Sequence, residues 1–303
     1  MVCVFDIESV PDIDLLRDKY GFTGSEVEIC QQAFNTQKEK SGSEFLPVPF
    51  HRIISIACVM CDEFGHFNRV GSFGKNAKEE FLASLDSQNT SSCAQDFTNA
   101  LDRFEENLLR EFWKFFNKHQ PALVSFNGRG FDLIALTLRA MRYNIEASAY
   151  FEKHNPQFNK DKWENYRSRY SERFHTDLLD SLGNFGSVRT LNLDTVCQMC
   201  KIVGKFDMQG SQVFEIFYGS ENTPNAKKLA IEQIESYCQS DVLNTYWLYL
   251  KFLIVKGELL LSDYASILAQ MREKLAIEQN YYEPFSQSID AELARLKNAM
   301  EIP

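Results

Sequence analysis

Two acidic residues stand near the start of the chain, in the segment VCVFDIE, and their spacing suits metal chemistry. Asp6 and Glu8 are two residues apart and end a short apolar run that predicts a buried strand. Because side chains alternate across a strand, both carboxylates leave the same face. A divalent cation such as Mg²⁺ or Mn²⁺, which prefers oxygen ligands, relieves the repulsion between them. Alone, the pair also fits a strand that runs into an exposed loop.

A third carboxylate, Asp132, begins a predicted helix directly after the apolar strand ALVSF and an Asn-Gly turn. The ends of strands in α/β sheets are where functional sites gather. An acidic residue at a helix start also complements the helix dipole. Taken singly, Asp132 therefore fits a structural role at least as well as a functional one.

Tyr237 and Asp241 are the last pair of residues that could take part in catalysis, and they lie one helical turn apart on a single helix face. Ile234, Cys238 and Val242 fall at helical spacing beside them, so this face borders the core. A buried aspartate needs a partner, because an unpaired charge is costly there. A metal ion would supply that partner, and a Tyr–Asp hydrogen bond is the simpler alternative.

Read in order, VFDIE, SFNGRGFD and YCQSD resemble the three motifs of the DEDDy exonuclease superfamily. The chain is more closely similar to the bacterial family of predicted 3′→5′ exonucleases related to the proofreading domain of family-B DNA polymerases. FHRIISIACV and RYSERFHTDLLDSL add to the resemblance, which covers most of residues 1–255. It implies an α/β, RNase H-like fold, with a central mixed sheet flanked by helices. We therefore predict an exonuclease domain over 1–255 and a helical C-terminal extension over 256–303.

The resemblance implies a hydrolase that releases nucleoside 5′-monophosphates from the 3′ ends of single-stranded nucleic acid, with DNA favoured. Four acidic residues match its motifs and would hold two divalent metal ions, Mg²⁺ or Mn²⁺: Asp6, Glu8, Asp132 and Asp241. Tyr237 would orient the attacking water, because a reference pKa of about 10 makes it a poor base. Two alternatives stay open, an exoribonuclease and a nucleic-acid-binding scaffold with weak or lost activity.

The charge of the chain constrains how it could hold nucleic acid. With 32 basic and 42 acidic residues its net charge is −10, which repels nucleic acid at long range. A nuclease then needs bound cations and a locally basic surface. Residues 151–175 mix basic and aromatic side chains, which suits stacking on a single strand, although a packed helix fits the same pattern. The predicted nucleic-acid contacts are Asn127, Lys160, Lys162, Trp163, Arg167 and Arg169.

Several remaining features receive structural interpretations. His175 and Asp177 form an HxD pair for which structural hydrogen bonding is favoured over metal binding. The 8 cysteines are expected to be free thiols, including those of the two CxxC pairs. The N-terminus lacks the basic region of a signal peptide, and no apolar stretch could span a bilayer. A cytoplasmic protein without membrane contact is therefore expected.

The elements that must position these residues follow a mixed α/β order. The first strand ends at Pro11, and residues 13–44 are mostly helical. RIISIACVMC predicts a strand that pairs with HFNRVGSF as a hairpin. A loop over 87–96 precedes a helix with Asp96 as its N-cap, LNLDTVCQMCKIVG predicts another helix, and a long helix covers roughly 226–255. The amphipathic tail beyond it either caps the sheet or binds another protein.

Overall fold

A mixed β-sheet forms the centre of the computed structural model, which describes residues 1–87, 94–188, 190–206 and 208–300. Within these ranges the sheet has the order β3-β2-β1-β4-β5. The first three strands pair antiparallel, whereas β4 and β5 run parallel to β1. The strands are β1 (Val2–Pro11), β2 (His51–Cys61), β3 (Phe67–Ser72), β4 (Ala122–Ser125) and β5 (His175–Asp177). The predicted hairpin is β2–β3, and the sheet is that of the expected RNase H-like fold.

Helices cover both faces of this sheet. They are α1 (Ile13–Tyr20), α2 (Glu26–Ser41), α3 (Lys75–Ser87), α4 (Ala94–His119), α5 (Asp132–Arg142), α6 (Ser148–Phe151), α7 (Leu178–Leu182), α8 (Leu193–Met199), α9 (Val213–Gly219), α10 (Pro224–Lys256), α11 (Leu261–Lys274) and α12 (Tyr282–Met300). The ends of the long helix α10 follow ordinary capping chemistry. Thr223 accepts a hydrogen bond from a free backbone N–H at its start, and Gly257 ends it in the left-handed conformation.

Two sequence predictions differ from the observed elements, and one alternative interpretation is excluded. Helix α4 begins at Ala94, so Asp96 lies in its first turn rather than at the N-cap, and residues 88–93 of the predicted loop lie outside the described ranges. The helix expected over LNLDTVCQMCKIVG is limited to α8, because the chain turns at Lys201 with φ 57°. The alternative of a packed helix does not hold for residues 152–174, which form turns and the short 3-10 helix Pro156–Phe158. Side chains such as Asp161 accept backbone hydrogen bonds there that a continuous helix would need.

The central strand β1 is buried on both faces, and the two faces pack against different helices. Val2 and Val4 belong to a hydrophobic cluster with α10, α11 and α12, whereas Cys3 and Phe5 pack with α4 and α5. Helix α10 is therefore enclosed between the sheet and the last two helices. Its Trp247 donates a hydrogen bond to the hydroxyl of Tyr264 on α11, 2.8 Å away.

The C-terminal helices share the hydrophobic cluster of the sheet, and the domain division at residue 255 stays a prediction. The cysteines of the described ranges are free thiols, as expected. Among the helices described, none combines the length and the apolar character needed to cross a membrane.

Candidate active site

The direction of Asp6 and Glu8 follows from the alternation of β1. Both continue the face of Val2 and Val4, which packs against α10. One oxygen of each carboxylate and the Cys238 sulfur of α10 all lie within 4.8 Å of one another. The Cys238 thiol also donates to the backbone carbonyl of Asp6 at 3.5 Å, so the helix packs directly on the strand that carries the pair.

Tyr237 and Asp241 reach the same place from α10, and both side chains are buried. The charge of Asp241 raises the pKa of Tyr237, and the Tyr237 hydroxyl in turn lowers that of Asp241, so the two groups are neighbours. The charge of Asp241 raises the pKa of Glu8 and, to a smaller extent, that of Asp6. The structure thus brings the first and third motifs together, although more than 220 residues separate them in the chain.

Asp132 completes the cluster from the neighbouring strand. Strands β1 and β4 are parallel, so their carboxyl ends meet at one edge of the sheet, and α5 begins there with Asp132. Asp132 is 4% exposed, and its charge is the largest of those that raise the pKa of Asp6. All four predicted carboxylates therefore lie in one cluster.

The turn between β4 and α5 depends on two glycines and on Asp177. A Cβ at Gly128 would lie 2.3 Å from the Ser125 hydroxyl oxygen, and one at Gly130 would lie 2.3 Å from the Asn127 amide oxygen. The Asp177 carboxylate accepts hydrogen bonds from the backbone N–H groups of Asn127 and Arg129, at 2.9 and 2.8 Å. These contacts fix the turn that precedes Asp132.

His175 has a structural role as well. Its Nε2 lies 2.7 Å from the Ser125 hydroxyl, and the ring is buried. Burial and the nearby charge of Arg129 keep the pKa of His175 well below its ordinary value, so the ring is neutral. The hydrogen bonds of His175 and Asp177 agree with the structural interpretation of the HxD pair.

A buried ion network ties the strand of the first motif to the helix of the second. Arg139 of α5 donates to Asp12, just past β1, at 2.6 Å and to Glu105 of α4 at 2.7 Å. Burial raises the pKa of Asp12, but Arg52 and Arg139 outweigh it and hold that pKa below its ordinary value. The network keeps the elements that carry Asp6, Glu8 and Asp132 in one arrangement. Breaking such a buried pair costs about 3–5 kcal/mol.

Lys205 lies at the carboxylate cluster, although none of the sequence motifs includes it. Its ammonium nitrogen lies 3.3 Å from Asp241 Oδ2 and donates to the Tyr237 hydroxyl at 2.5 Å. No periodicity marks this lysine. The one available signal was the acidity of the cluster itself, which calls for a cation from elsewhere in the chain.

The position of Lys205 is set by the residues around it. The backbone N–H of Lys205 donates to Asp194 Oδ1 at 2.8 Å. The preceding Gly204 exchanges two 3.0 Å hydrogen bonds with the buried Asn244 side chain of α10. Gly204 has φ 70°, and a Cβ there would lie 2.7 Å from Asp194 Oδ1, so a larger residue does not fit.

The carboxylates raise one another's pKa. Burial, followed by the charges of Asp132, Glu8 and Asp241, raises the pKa of Asp6 well above its ordinary value. Burial and Asp241 do the same for Glu8, and burial raises the pKa of Asp132 to about 7. Burial also raises the pKa of Asp241, against the opposing effect of Lys205. Without a metal ion the cluster therefore retains protons, because one ammonium group does not balance four ionised carboxylates.

The residues present fit divalent cations. Asp241 Oδ1 is buried and has no hydrogen-bond partner within the described part of the chain, which leaves a carboxylate oxygen available as a ligand. The other donors are carboxylate oxygens, the ligands that Mg²⁺ and Mn²⁺ prefer. Asp6, Glu8, Asp132 and Asp241 could hold such ions together, and the ions would relieve the repulsion among them.

A cavity of about 560 Å³ opens beside Glu8. Aromatic rings form much of its wall, including Phe45, Phe131 and Phe214. The rings of Phe45 and Phe131 meet edge to face, with centroids 5.2 Å apart. A flat, largely apolar group such as a nucleobase suits a cavity of this size and lining.

The predicted nucleic-acid contacts divide into two groups. Exposed side chains with access to solvent form the larger group: Asn127, Lys162, Trp163, Arg167 and Arg169. Lys160 differs, because it is 2% exposed and its ammonium donates to the Ala149 carbonyl at 2.8 Å and to Glu152 at 3.0 Å. We therefore leave Lys160 out of the nucleic-acid contacts proposed below.

Comparison with known proteins supplies one match. The family model described as a predicted 3′-5′ exonuclease related to the exonuclease domain of PolB matches residues 43–289. This range contains Asp132, Lys205, Tyr237 and Asp241, whereas Asp6 and Glu8 precede it. A search of curated proteins finds no match.

Proposed function

The chain belongs to the family of predicted 3′-5′ exonucleases related to the exonuclease domain of PolB, and from this premise we propose that it is a metal-dependent exonuclease of the DEDDy type. It removes nucleotides from the 3′ end of single-stranded nucleic acid, with DNA favoured because of the relation to a DNA polymerase domain. The observation that carries the proposal is the meeting of four carboxylates from three distant segments, one of which, Asp241, has a buried oxygen without a partner in the described ranges.

The reaction breaks the last phosphodiester bond of the strand. A water oxygen forms a bond to the terminal phosphorus, the bond from phosphorus to the 3′ oxygen of the preceding nucleotide breaks, and that oxygen takes up a proton. The products are a nucleoside 5′-monophosphate and a strand shorter by one nucleotide. Two divalent cations, held by Asp6, Glu8, Asp132 and Asp241, would supply electrostatic stabilisation of the phosphate and a lowered pKa for water.

Tyr237 orients the attacking water through its hydroxyl group. Burial and the charge of Asp241 raise the pKa of Tyr237, so it keeps its proton and does not act as a base. Because Lys205 donates to the Tyr237 oxygen, the phenolic hydrogen points away from Lys205 and can be donated to an acceptor such as the neighbouring Asp241 carboxylate. A water molecule near Asp241 would lie within reach of the same group.

Lys205 adds a fixed positive charge to the site. Burial lowers its pKa, but the charges of Asp241 and Glu8 outweigh that effect, so the group stays protonated at neutral pH. We assign it the role of orienting Tyr237 and of stabilising negative charge that develops on the phosphate. The cavity beside Glu8, walled by Phe45 and Phe131, would receive the terminal base.

A direct test uses single-stranded DNA and RNA of one sequence, labelled at either end and incubated with Mn²⁺ or Mg²⁺. We expect 5′-labelled DNA to give a ladder of shortened strands and 3′-labelled DNA to give a labelled mononucleotide at once. The double variant Asp6→Ala/Glu8→Ala should lose activity by about 10³-fold or more. Asp263→Asn, which changes an exposed carboxylate of α11, serves as the control and should keep full activity.

The outcomes separate the open alternatives. Cleavage of RNA but not of DNA would identify an exoribonuclease. Binding without any shortening of the 3′ end would identify a scaffold without activity. Equal activity in wild type and in the Asp6→Ala/Glu8→Ala variant would refute the assignment of this site.

A further inference from the structure

A surface beside the second motif combines exposed rings with cations, although the protein as a whole is acidic. We infer that this strand-binding surface holds the unpaired nucleotides on the 5′ side of the terminal one. It consists of Lys153, Lys162, Trp163, Arg167, Arg169 and Tyr170. The inference rests on the proposed function, because a strand whose 3′ end lies at the carboxylates can leave the site only in the 5′ direction.

Two adjoining cavities form a continuous path along this surface. The first, of about 380 Å³, is lined by Asn127 and Gly130 of the turn before Asp132, and also by Arg167 and Arg169. The second, of about 580 Å³, shares Arg167 and Arg169 with the first and extends to Trp163. Each has the size of a typical small-ligand pocket, enough for about one nucleotide. The path therefore begins beside the turn that precedes Asp132 and leads away from that turn.

The charged groups of this surface are available to phosphates. Lys153, Lys162 and Arg167 are exposed and form no ion pair with any residue in the described ranges. Arg169 is 3.1 Å from Asp180, but half of its side chain remains exposed. In a chain of net charge −10, such a concentration of unpaired cations favours an anionic ligand.

The rings of this surface are exposed and held by neighbours. Trp163 is 71% exposed and Tyr170 is 76% exposed. The Lys162 ammonium lies 4.8 Å from the Trp163 ring centre, and Tyr170 meets Phe185 edge to face with ring centroids 5.1 Å apart. Exposed rings beside cations stack on unpaired bases without reading their identity. A duplex keeps its bases stacked on each other, so this surface favours single strands.

Arg129 fixes the surface relative to the active site. Its guanidinium donates to the carbonyl groups of Tyr166 at 3.1 Å, Ser171 at 3.4 Å and His175 at 2.6 Å. These carbonyls flank the segment that carries Arg167, Arg169 and Tyr170. Because Arg129 itself belongs to the turn before Asp132, the segment is braced against the second motif rather than free to move.

The test measures binding of 5′-fluorescein-labelled (dT)20 by anisotropy in EDTA, where no cleavage occurs. We expect Trp163→Ala and Arg167→Glu each to weaken binding about tenfold. Arg167→Glu should also reduce the slope of log K against log salt by about 0.7 or more, the contribution of one phosphate contact. Matched changes at exposed sites elsewhere, Phe64→Ala and Lys228→Glu, should leave the affinity unchanged.

Activity assays then distinguish this inference from the proposed function. With Mn²⁺, the two surface variants should raise KM for (dT)20 about tenfold. They should leave kcat/KM for the p-nitrophenyl ester of thymidine 5′-monophosphate unchanged, because this substrate has no nucleotide on the 5′ side that could extend along the path. Failure of wild type to bind (dT)20, or variants that bind it as tightly as the controls do, would overturn the inference. Loss of binding in the variants of a protein that cleaves nothing would support the surface and refute the exonuclease.

Discussion

Tyr237 is proposed to orient the attacking water without binding the metal ions, so its replacement tests the first role apart from the second. Its hydroxyl accepts a hydrogen bond from Lys205, and burial and the charge of Asp241 raise its pKa, so it stays protonated and uncharged. A neutral phenol is a weak ligand for a hard cation, so its removal should spare the carboxylates that hold metal.

Replacement of Tyr237 by phenylalanine removes only the hydroxyl group and leaves the ring in place. We expect kcat to fall about 100-fold, because an orienting hydrogen bond is lost, while the rise in Tm caused by Mn²⁺ stays as in wild type. Tyr20→Phe, at an exposed tyrosine of α1, is the control. Full activity in Tyr237→Phe would show that the hydroxyl does not orient the water.

At the scale of elements, the site depends on a loop that α10 holds in place. Asn244 lies one helical turn after Asp241 and fastens Gly204 through both its amide oxygen and its amide nitrogen. Helix α10 therefore supplies Tyr237 and Asp241 directly and also fixes the backbone next to Lys205. One element controls three of the groups at the site.

This arrangement predicts coupling between Asn244 and Lys205. Lys205→Met should lower kcat about 10- to 100-fold, Asn244→Ala should do nearly the same, and the double variant should lose little more. Both changes disrupt one contact, that of Lys205 with Tyr237, so their effects cannot add.

The control for Asn244 is another asparagine with the same kind of contacts. Asn117 also donates to one backbone carbonyl, of Glu146, and accepts from one backbone N–H, of Ala149. Asn117→Ala should lower the free energy of unfolding by about 1–3 kcal/mol, as Asn244→Ala does, but without the loss of kcat. Additive losses in the Asn244→Ala/Lys205→Met double variant would contradict the coupling.

At the scale of the whole molecule, the acidic cluster makes stability depend on pH and metal together. The pKa of Asp132 rises to about 7 from an unfolded value of about 4, and those of Asp6 and Glu8 also rise. At pH values between about 4 and 7, the folded chain therefore binds more protons than the unfolded chain does. Stability in the absence of metal therefore falls as pH rises from about 4 to 7.

Divalent cations should reverse this trend, since they compete with protons for the same oxygens. At a Mn²⁺ concentration of about 100 times Kd, the gain is about 2.7 kcal/mol. That gain raises Tm by roughly 5 °C or more, and we expect the rise to be large at pH 8 and small at pH 5. Thermal melts with Mn²⁺ or EDTA at both pH values provide the measurement.

Two variants check the origin of the pH effect. Asp132→Asn removes one titrating group of the cluster, so it should flatten the dependence of Tm on pH in EDTA. Asp263→Asn, at an exposed position of α11, should leave it as in wild type. An equal Mn²⁺ effect at pH 5 and pH 8 in wild type would mean that these carboxylates do not bind the ion.

The sequence by itself determined the local geometry. Alternation along β1 put Asp6 and Glu8 on one face, helical spacing put Tyr237 and Asp241 on another, and turn chemistry indicated the start of α5 near Asp132. These relations hold over a few residues, where backbone geometry alone fixes the direction of a side chain. The resemblance to exonucleases then gave the expected fold class.

Only the tertiary structure decided which distant groups meet. Lys205 comes from an irregular loop, and its contact with Tyr237 depends on Asn244 and Asp194, so no periodicity could reveal it. In the basic and aromatic segment, Lys160 is buried whereas Trp163 is exposed, although the sequence pattern predicted nucleic-acid contacts for both. Burial and long-range contacts depend on the path of the whole chain, which spacing along the sequence does not encode.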